Sequence, residues 1–276
     1  YEAILSVDGE LAGFDFDPEG DLWLAVNTTA GGALCRAKHD SWGTAVEQVV
    51  TQLDGAPLGV ISAVETGPDG KVYFAVVGSE SAANGLESAL RTELLAHTGT
   101  GWVYVYDPAD RTVQRVVGGI AGASGLAISS DGETLYVSDL GSRCVWSMDA
   151  AARELTAGGK NCQSFLYGLP GYPGALAMDE DGTLYISYRW ARSEWLEAQA
   201  DKTLLRGMAL RLSSSMQERL FGLPADAPCA EAVTADGSWQ KTFTGKEMGG
   251  CTAVCPAGSK VYFGAADSAE LSSARI

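Results

Sequence analysis

The chain has 276 residues, 46% hydrophobic and 20% charged, with 34 glycines, a balance that excludes a disordered or fibrous chain and fits a core-forming protein rich in turns. Its formal charge of −16 speaks against nucleic acid or anionic lipid as a partner, because both attract Lys/Arg clusters and repel a field of this sign. No apolar run approaches the ~20 residues needed to cross a bilayer, and no leader-like segment opens the sequence.

In chain order, residues 13–26 (GFDFDPEGDLWLAV) give the first copy of a repeating unit: an apolar segment, an acidic turn closing on glycine, then an alternating strand with an aromatic. The unit returns at 61–76, 125–139, 174–188 and 252–266. Its turn glycines, Gly20, Gly70, Gly132, Gly182 and Gly258, supply the positive φ that a tight antiparallel reversal needs. Their separations of 50, 62, 50 and 76 residues fit propeller blades carrying insertions. Outer strands follow at 102–117, where two alternating runs flank an Asp-Pro turn, and at 144–157. Two segments break the pattern. Residues 83–97 and 191–212 carry apolar side chains at helical spacing and few glycines, which predicts a helix inserted at each place. The fold expected is therefore all-β: one domain over 1–276, a six-bladed-type propeller with five blade motifs visible and a first blade largely missing.

Six cysteines and one N-glycosylation sequon, at Asn27-Thr28-Thr29, together point to a secretory, extracellular or cell-surface protein. The alternative is buried reduced thiols and a chance tripeptide. Cys251 and Cys255 are four residues apart in an apparent strand, roughly 13 Å when extended, too far to bond to each other. Cys144 and Cys162 fall on successive predicted strands of one blade and make the expected pair; the other connectivity stays open.

The stretch GLPGYPGALAMDEDGTLYISYRWARSEW (168–195), the helical insertion after it, and the segments 230–243 and 261–276 resemble the last two blades of strictosidine synthase-like proteins. Upstream, 100–149 resembles the same family's succession of a YDP turn, an apolar strand, a glycine-led inner strand and an arginine-containing outer strand, and 51–64 the start of the preceding blade. In that register, residues 1–7 (YEAILSV) are the outer edge of an earlier blade. The resemblance implies a six-bladed propeller of the lactonase type and, in its hydrolases, a calcium ion held by Asn, Asp and Glu oxygens at the starts of inner strands.

At those positions this chain has Ser62-Ala63, Ser124-Gly125 and Gly174-Ala175. Hydroxyls offset the dehydration of calcium far less than carboxylates do, so no metal or other cofactor is expected. The essential glutamate of strictosidine synthase itself corresponds to Thr252 or Cys251, neither of which can transfer a proton as a carboxylate does. The catalytic candidates that remain are Glu247, a few residues upstream, and His97, at the end of the first inserted helix, where an interaction with the helix dipole is the plainer role. Ser62, Ser124, Asp139, Tyr188 and Arg189 are binding candidates, because they stand at the strand ends from which propeller pockets draw residues. The function expected is a catalytically degenerate binding or structural module with a protein partner or larger assembly, leaving room for a small-molecule ligand. The alternative is a metal-independent hydrolase or lyase.

Overall fold

The computed structural model describes residues 5–41, 43, 45–221, 229–244, 250–265, 268 and 270–276. Blade 1 is the sheet β1 (Glu10–Phe16), β2 (Leu22–Thr28), β3 (Gly31–Ala37) and β4 (Glu47–Val50), followed by a small hairpin of β5 (Gln52–Leu53) and β6 (Ala56–Pro57). Blade 2 is β7 (Ile61–Thr66), β8 (Val72–Val76), β9 (Gly101–Asp107) and β10 (Thr112–Ile120), with helix α1 (Gly85–Ala96) inserted after β8. Blade 3 contains β11 (Ala123–Ile128), β12 (Thr134–Asp139) and β13 (Cys144–Asp149). The chain then adds β14 (Leu155–Thr156) in parallel to the edge of β10 before returning to blade 3 as β15 (Gln163–Tyr167). Blade 4 is β16 (Gly171–Met178), β17 (Leu184–Ala191), β18 (Ala230–Val233) and β19 (Trp239–Phe243), with α2 (Glu194–Ala198), α3 (Thr203–Ala209) and α4 (Ser214–Phe221) between β17 and β18. Blade 5 has three strands, β20 (Ala253–Ala257), β21 (Lys260–Gly264) and β22 (Ser272–Arg275).

The five repeats are thus the five inner hairpins, and the chain is an all-β propeller of five blades among the described residues. The first four hairpin turns work alike. In the first, Gly20 N donates to Asp17 O and Asp17 N to Asp21 O, with Gly20 at φ +85°, a region open to glycine because it has no Cβ. The Asp17 carboxylate also accepts from the Trp23 indole at 2.9 Å, and Asp179 repeats this with the Tyr185 hydroxyl at 3.1 Å. The apolar core is divided into wedges between blades: Trp23, Ile61 and Phe74 join blades 1 and 2, and Val103, Leu126 and Val137 join blades 2 and 3. Tyr136, Leu176 and Ile186 join blades 3 and 4, and Tyr185, Val254 and Phe263 join blades 4 and 5.

Three expectations change. The segment 191–212 is not one helix: Ser193 caps α2 through its hydroxyl, the chain turns at Gln199–Lys202, and α3 and α4 follow as separate short helices. The described part of 1–7 forms no strand; Leu5 and Val7 lie on the outward face of blade 1 against Leu22, Leu24 and Cys35. The Cys144–Cys162 bridge is absent, and both residues are buried free thiols. Cys144 pairs with Tyr167 and Ser147 with Gln163, so Cys162, just before Gln163, is offset from Cys144 by about 13 Å along the ladder. The excursion to β14 is what displaces it.

A helical cap and a carboxyl pair at opposite ends of the channel

Every inner strand starts at one face of the propeller, and the α1 and α2–α4 insertions leave from strands that end at that same face. The candidate site is this capped mouth. Helix α1 has an apolar stripe of Leu86, Ala89, Leu90 and Leu94, which packs with Leu140, Tyr172, Leu196 and Ala209 into one cluster. The described part of the cap thus lays an apolar cluster over this face. Polar groups fix the cap in place: the Glu10 carboxylate accepts from Leu86 N at 2.8 Å at the start of α1, where the helix dipole favours a negative charge. At the other end, the buried Arg206 of α3 donates to Leu94 O at 2.8 Å and Leu95 O at 3.0 Å, and to Ala200 O at 3.0 Å. Glu197 of α2 takes Arg143 at 3.1 Å and Arg192 at 2.7 Å.

The binding candidates reach this region but are engaged in holding the fold. Ser62 Oγ donates to Ala123 O of blade 3 at 2.7 Å, and Ser124 Oγ to Pro173 O of blade 4 at 2.8 Å. Asp139 accepts from Ser142 N at 2.9 Å and the Trp146 indole at 3.0 Å. Tyr188 donates to Glu231 at 2.6 Å, and burial followed by that carboxylate pushes its pKa up. Arg189 pairs with Glu87 of α1 at 3.3 Å and lies 5.7 Å from the Trp190 ring, tying blade 4 to the cap.

Glu247 lies outside the described residues. His97 is the left-handed residue that ends α1, with its amide donating to Glu93 O at 2.7 Å. Desolvation, then the Arg206 cation, pushes its pKa down, the reverse of what the helix dipole would do. Asn27, the sequon asparagine, is 3% exposed, and both ends of its amide bond blade 2: Nδ2 donates to Ile61 O at 2.8 Å and Oδ1 accepts from Ile61 N at 2.9 Å. A glycan there would have to enter a buried joint, so an unglycosylated Asn27 is the expectation for the folded chain. Among the described residues, no group of three or more His, Cys, Asp or Glu side chains is arranged to hold a metal. The hydroxyls of Ser62 and Ser124 point into carbonyls of the next blade, so the donor set does not fit the hydrolases' calcium.

Sequence reasoning passed over two groups. Glu93 follows the stripe of α1 at helical spacing and is 4% exposed, accepting from Gly99 N at 2.8 Å and Thr98 Oγ1 at 2.6 Å; burial raises its pKa. An acid or a lone arginine on an otherwise apolar helix face is the signal that would have marked Glu93 and Arg206. The second group is at the far end of the channel. Asp15, Glu65, Ala127, Ala177 and Cys255 occupy equivalent positions, each paired with the aromatic strand of its hairpin. Asp15 accepts from Thr66 N at 2.7 Å, and Glu65 from Ile128 N at 3.1 Å, each reaching the next blade. Burial, then the neighbouring Asp15 charge, raises Glu65 well above the carboxylate range, and burial raises Asp15.

An acid whose folded pKa is raised binds its proton more tightly when folded. Its stabilising contribution is full below the unfolded pKa and is lost as pH rises through the folded one. Glu65→Gln, which keeps the acceptor for Ile128 N, should therefore melt several degrees above the wild type at pH 8 and close to it at pH 4. Thermal melts across that range check it; a constant gap would place the effect outside Glu65 ionisation.

The SMP-30/gluconolactonase/LRE-like region model matches residues 29–215. The chain belongs to that family. A strictosidine synthase-like protein, number 12 of its series in Arabidopsis thaliana, is 29% identical over 132 residues, 47% of this chain and 37% of the relative. The match thus spans little more than a third of that protein. Among solved structures, a gluconolactonase from Xanthomonas campestris superposes at TM-score 0.64 and 16% identity, over 96% of this chain and 72% of the other. A luciferin-regenerating enzyme does so at 0.59 and 17%, over 96% and 75%. A chain of a nidogen/laminin complex gives 0.61 at 12%, again over 96% and 75%. At these identities the structural likeness speaks to fold alone.

Proposed function

We propose that the chain is a binding propeller of the SMP-30/gluconolactonase-like family that has set aside metal-dependent hydrolysis and recognises a protein partner with its helical cap. The observation that carries this reading is the use of Ser62 and Ser124, at the positions of the hydrolases' ligands, as donors to Ala123 O and Pro173 O, on a face over which α1–α3 lay an apolar cluster. A substrate needs a concave, partly polar site, and the described part of the cap presents leucines to the propeller instead. The same cap turns other apolar side chains outward: Leu204 is 77% exposed, Met208 56% and Met216 52%. Grouped exposed apolar side chains, with adaptable methionines among them, suit a protein surface. The fold is shared by a gluconolactonase and by a chain of a nidogen/laminin complex, so either use is open to it.

Calorimetric titration of calcium into chelator-treated protein, run beside an assay on a panel of lactones and aryl esters, tests the reading. No heat of binding and no turnover above buffer is the expected result. Sub-millimolar calcium affinity with calcium-dependent turnover would overturn it. The Asp15–Glu65 pair favours a second reading, a metal-independent hydrolase working from the other end of the channel, since carboxyls with raised pKa serve as general acids. Turnover that survives chelation and disappears in Glu65→Gln would establish that alternative.

A further inference from the structure

The joints between blades are closed by buried side chains. Asn27 bridges blade 1 to Ile61, Ser62 bridges blade 2 to Ala123, and Ser124 and Ser138 bridge blade 3 to Pro173 and Gly174. At the joint of blades 4 and 5 the residue equivalent to Ser138 is Ser187, fully buried, whose hydroxyl has no hydrogen-bond partner. Two cysteines meet at that joint instead. Tyr188 N donates to Cys229 O at 2.9 Å, and Cys251 N donates to Tyr188 O at 2.9 Å, so one residue of β17 holds both cysteine backbones. Cys229 is 6% exposed and Cys251 is fully buried, in one apolar cluster with Tyr185 and Phe263. Cys251 Sγ donates to Ala253 O at 3.1 Å and lies in hydrogen-bonding contact with the Cys229 thiol.

We propose that Cys229 and Cys251 form a structural disulfide that staples blade 5 to blade 4 when the chain folds in an oxidising medium. The structure holds the dithiol form. The oxidant is a low-molecular-weight disulfide. One cysteine thiolate attacks it, forming a mixed disulfide and releasing one small thiol; the second cysteine, as thiolate, attacks the protein sulfur of that mixed disulfide. The product is the Cys229–Cys251 bond and a second small thiol, with two protons leaving the cysteines and two electrons passing to the oxidant. Contact with Cys229, then burial, pushes the Cys251 thiol far above the ordinary range in the folded dithiol, so exchange belongs to the folding chain, in which both thiols still ionise normally. The bond closes a loop of about twenty residues, for which restriction of the unfolded chain predicts a melting temperature higher by roughly 5–10 °C.

The test is refolding of the full chain in a mixture of oxidised and reduced glutathione, alkylation under denaturing conditions, and peptide mass spectrometry. A cross-linked Cys229–Cys251 peptide, four alkylated cysteines and a reductant-sensitive rise in melting temperature are expected. The double variant Cys229→Ala/Cys251→Ala should keep the other four thiols alkylatable and lose the reductant sensitivity. Six alkylated cysteines in the wild type, or glutathione at exposed Cys255 or a Cys144–Cys162 cross-link with Cys229 and Cys251 both alkylated, would overturn the proposal.

Discussion

Arg206→Met should lower the stability of the folded chain by about 2–4 kcal/mol, the scale for leaving buried carbonyls without their charged donor. The guanidinium bonds the Leu94 and Leu95 carbonyls, in the last turn of α1, and reaches Ala200 O as well. Methionine keeps much of the hydrocarbon volume and none of the five donors, so the carbonyls at a helix C-terminus lose both their hydrogen bonds and the cation that offsets their dipole. Arg206→Lys retains the charge but not the fork, and should recover only part of the loss. Denaturant melts give the magnitude, and hydrogen exchange gives the place: α1 and α3 should lose protection while the blade strands keep theirs. A melt within 1 kcal/mol of wild type would mean that the cap is held by its leucines alone.

Asn27→Ala should cost about 2–4 kcal/mol, because it strands Ile61 N–H and C=O together in a buried joint. Asn27→Asp should be no better, since a carboxylate accepts from Ile61 N but meets Ile61 O with a like partial charge. Denaturation midpoints check both variants. The same contact makes a second expectation for protein expressed through a glycosylating secretory route: the folded fraction carries no glycan at Asn27, readable as an intact mass equal to that of the bare chain. A glycosylated fraction with wild-type stability would refute the assignment of Asn27 to the joint.

The five inner hairpins were legible because their signals are local: alternation over a few residues and a glycine whose φ the turn requires, as at Gly20 and Gly182. The helical insertions were legible for the same reason at α1, where the apolar stripe is continuous. At 191–212 the spacing is equally helical, but Ser193 restarts the chain and Arg206 is drawn toward α1, a tertiary demand that spacing does not record. Ser62 and Ser124 stood out in the sequence as lost metal ligands, and only the packing of one blade on the next reveals what they do instead. The Cys144–Cys162 expectation depended on two strands being neighbours in sequence and in the sheet. The strands are neighbours in the sheet, but Cys144 pairs with Tyr167 and Cys162 lies beyond the other end of β15, while Cys229 and Cys251 are brought together by a third residue, Tyr188, that no pairwise spacing would have nominated.

The joints between blades are closed by different chemistry at each step: a primary amide, a hydroxyl, a pair of hydroxyls, and then two thiols. The repeats look alike along the chain, yet they are not interchangeable parts. Moving the second hairpin into the fourth position would put Ser62 in the place of Gly174 and take Ile61 away from the Asn27 amide. Blade order is thereby written into the seams, in residues that the repeat pattern itself does not conserve from one copy to the next, and the ring assembles in one sequence of neighbours.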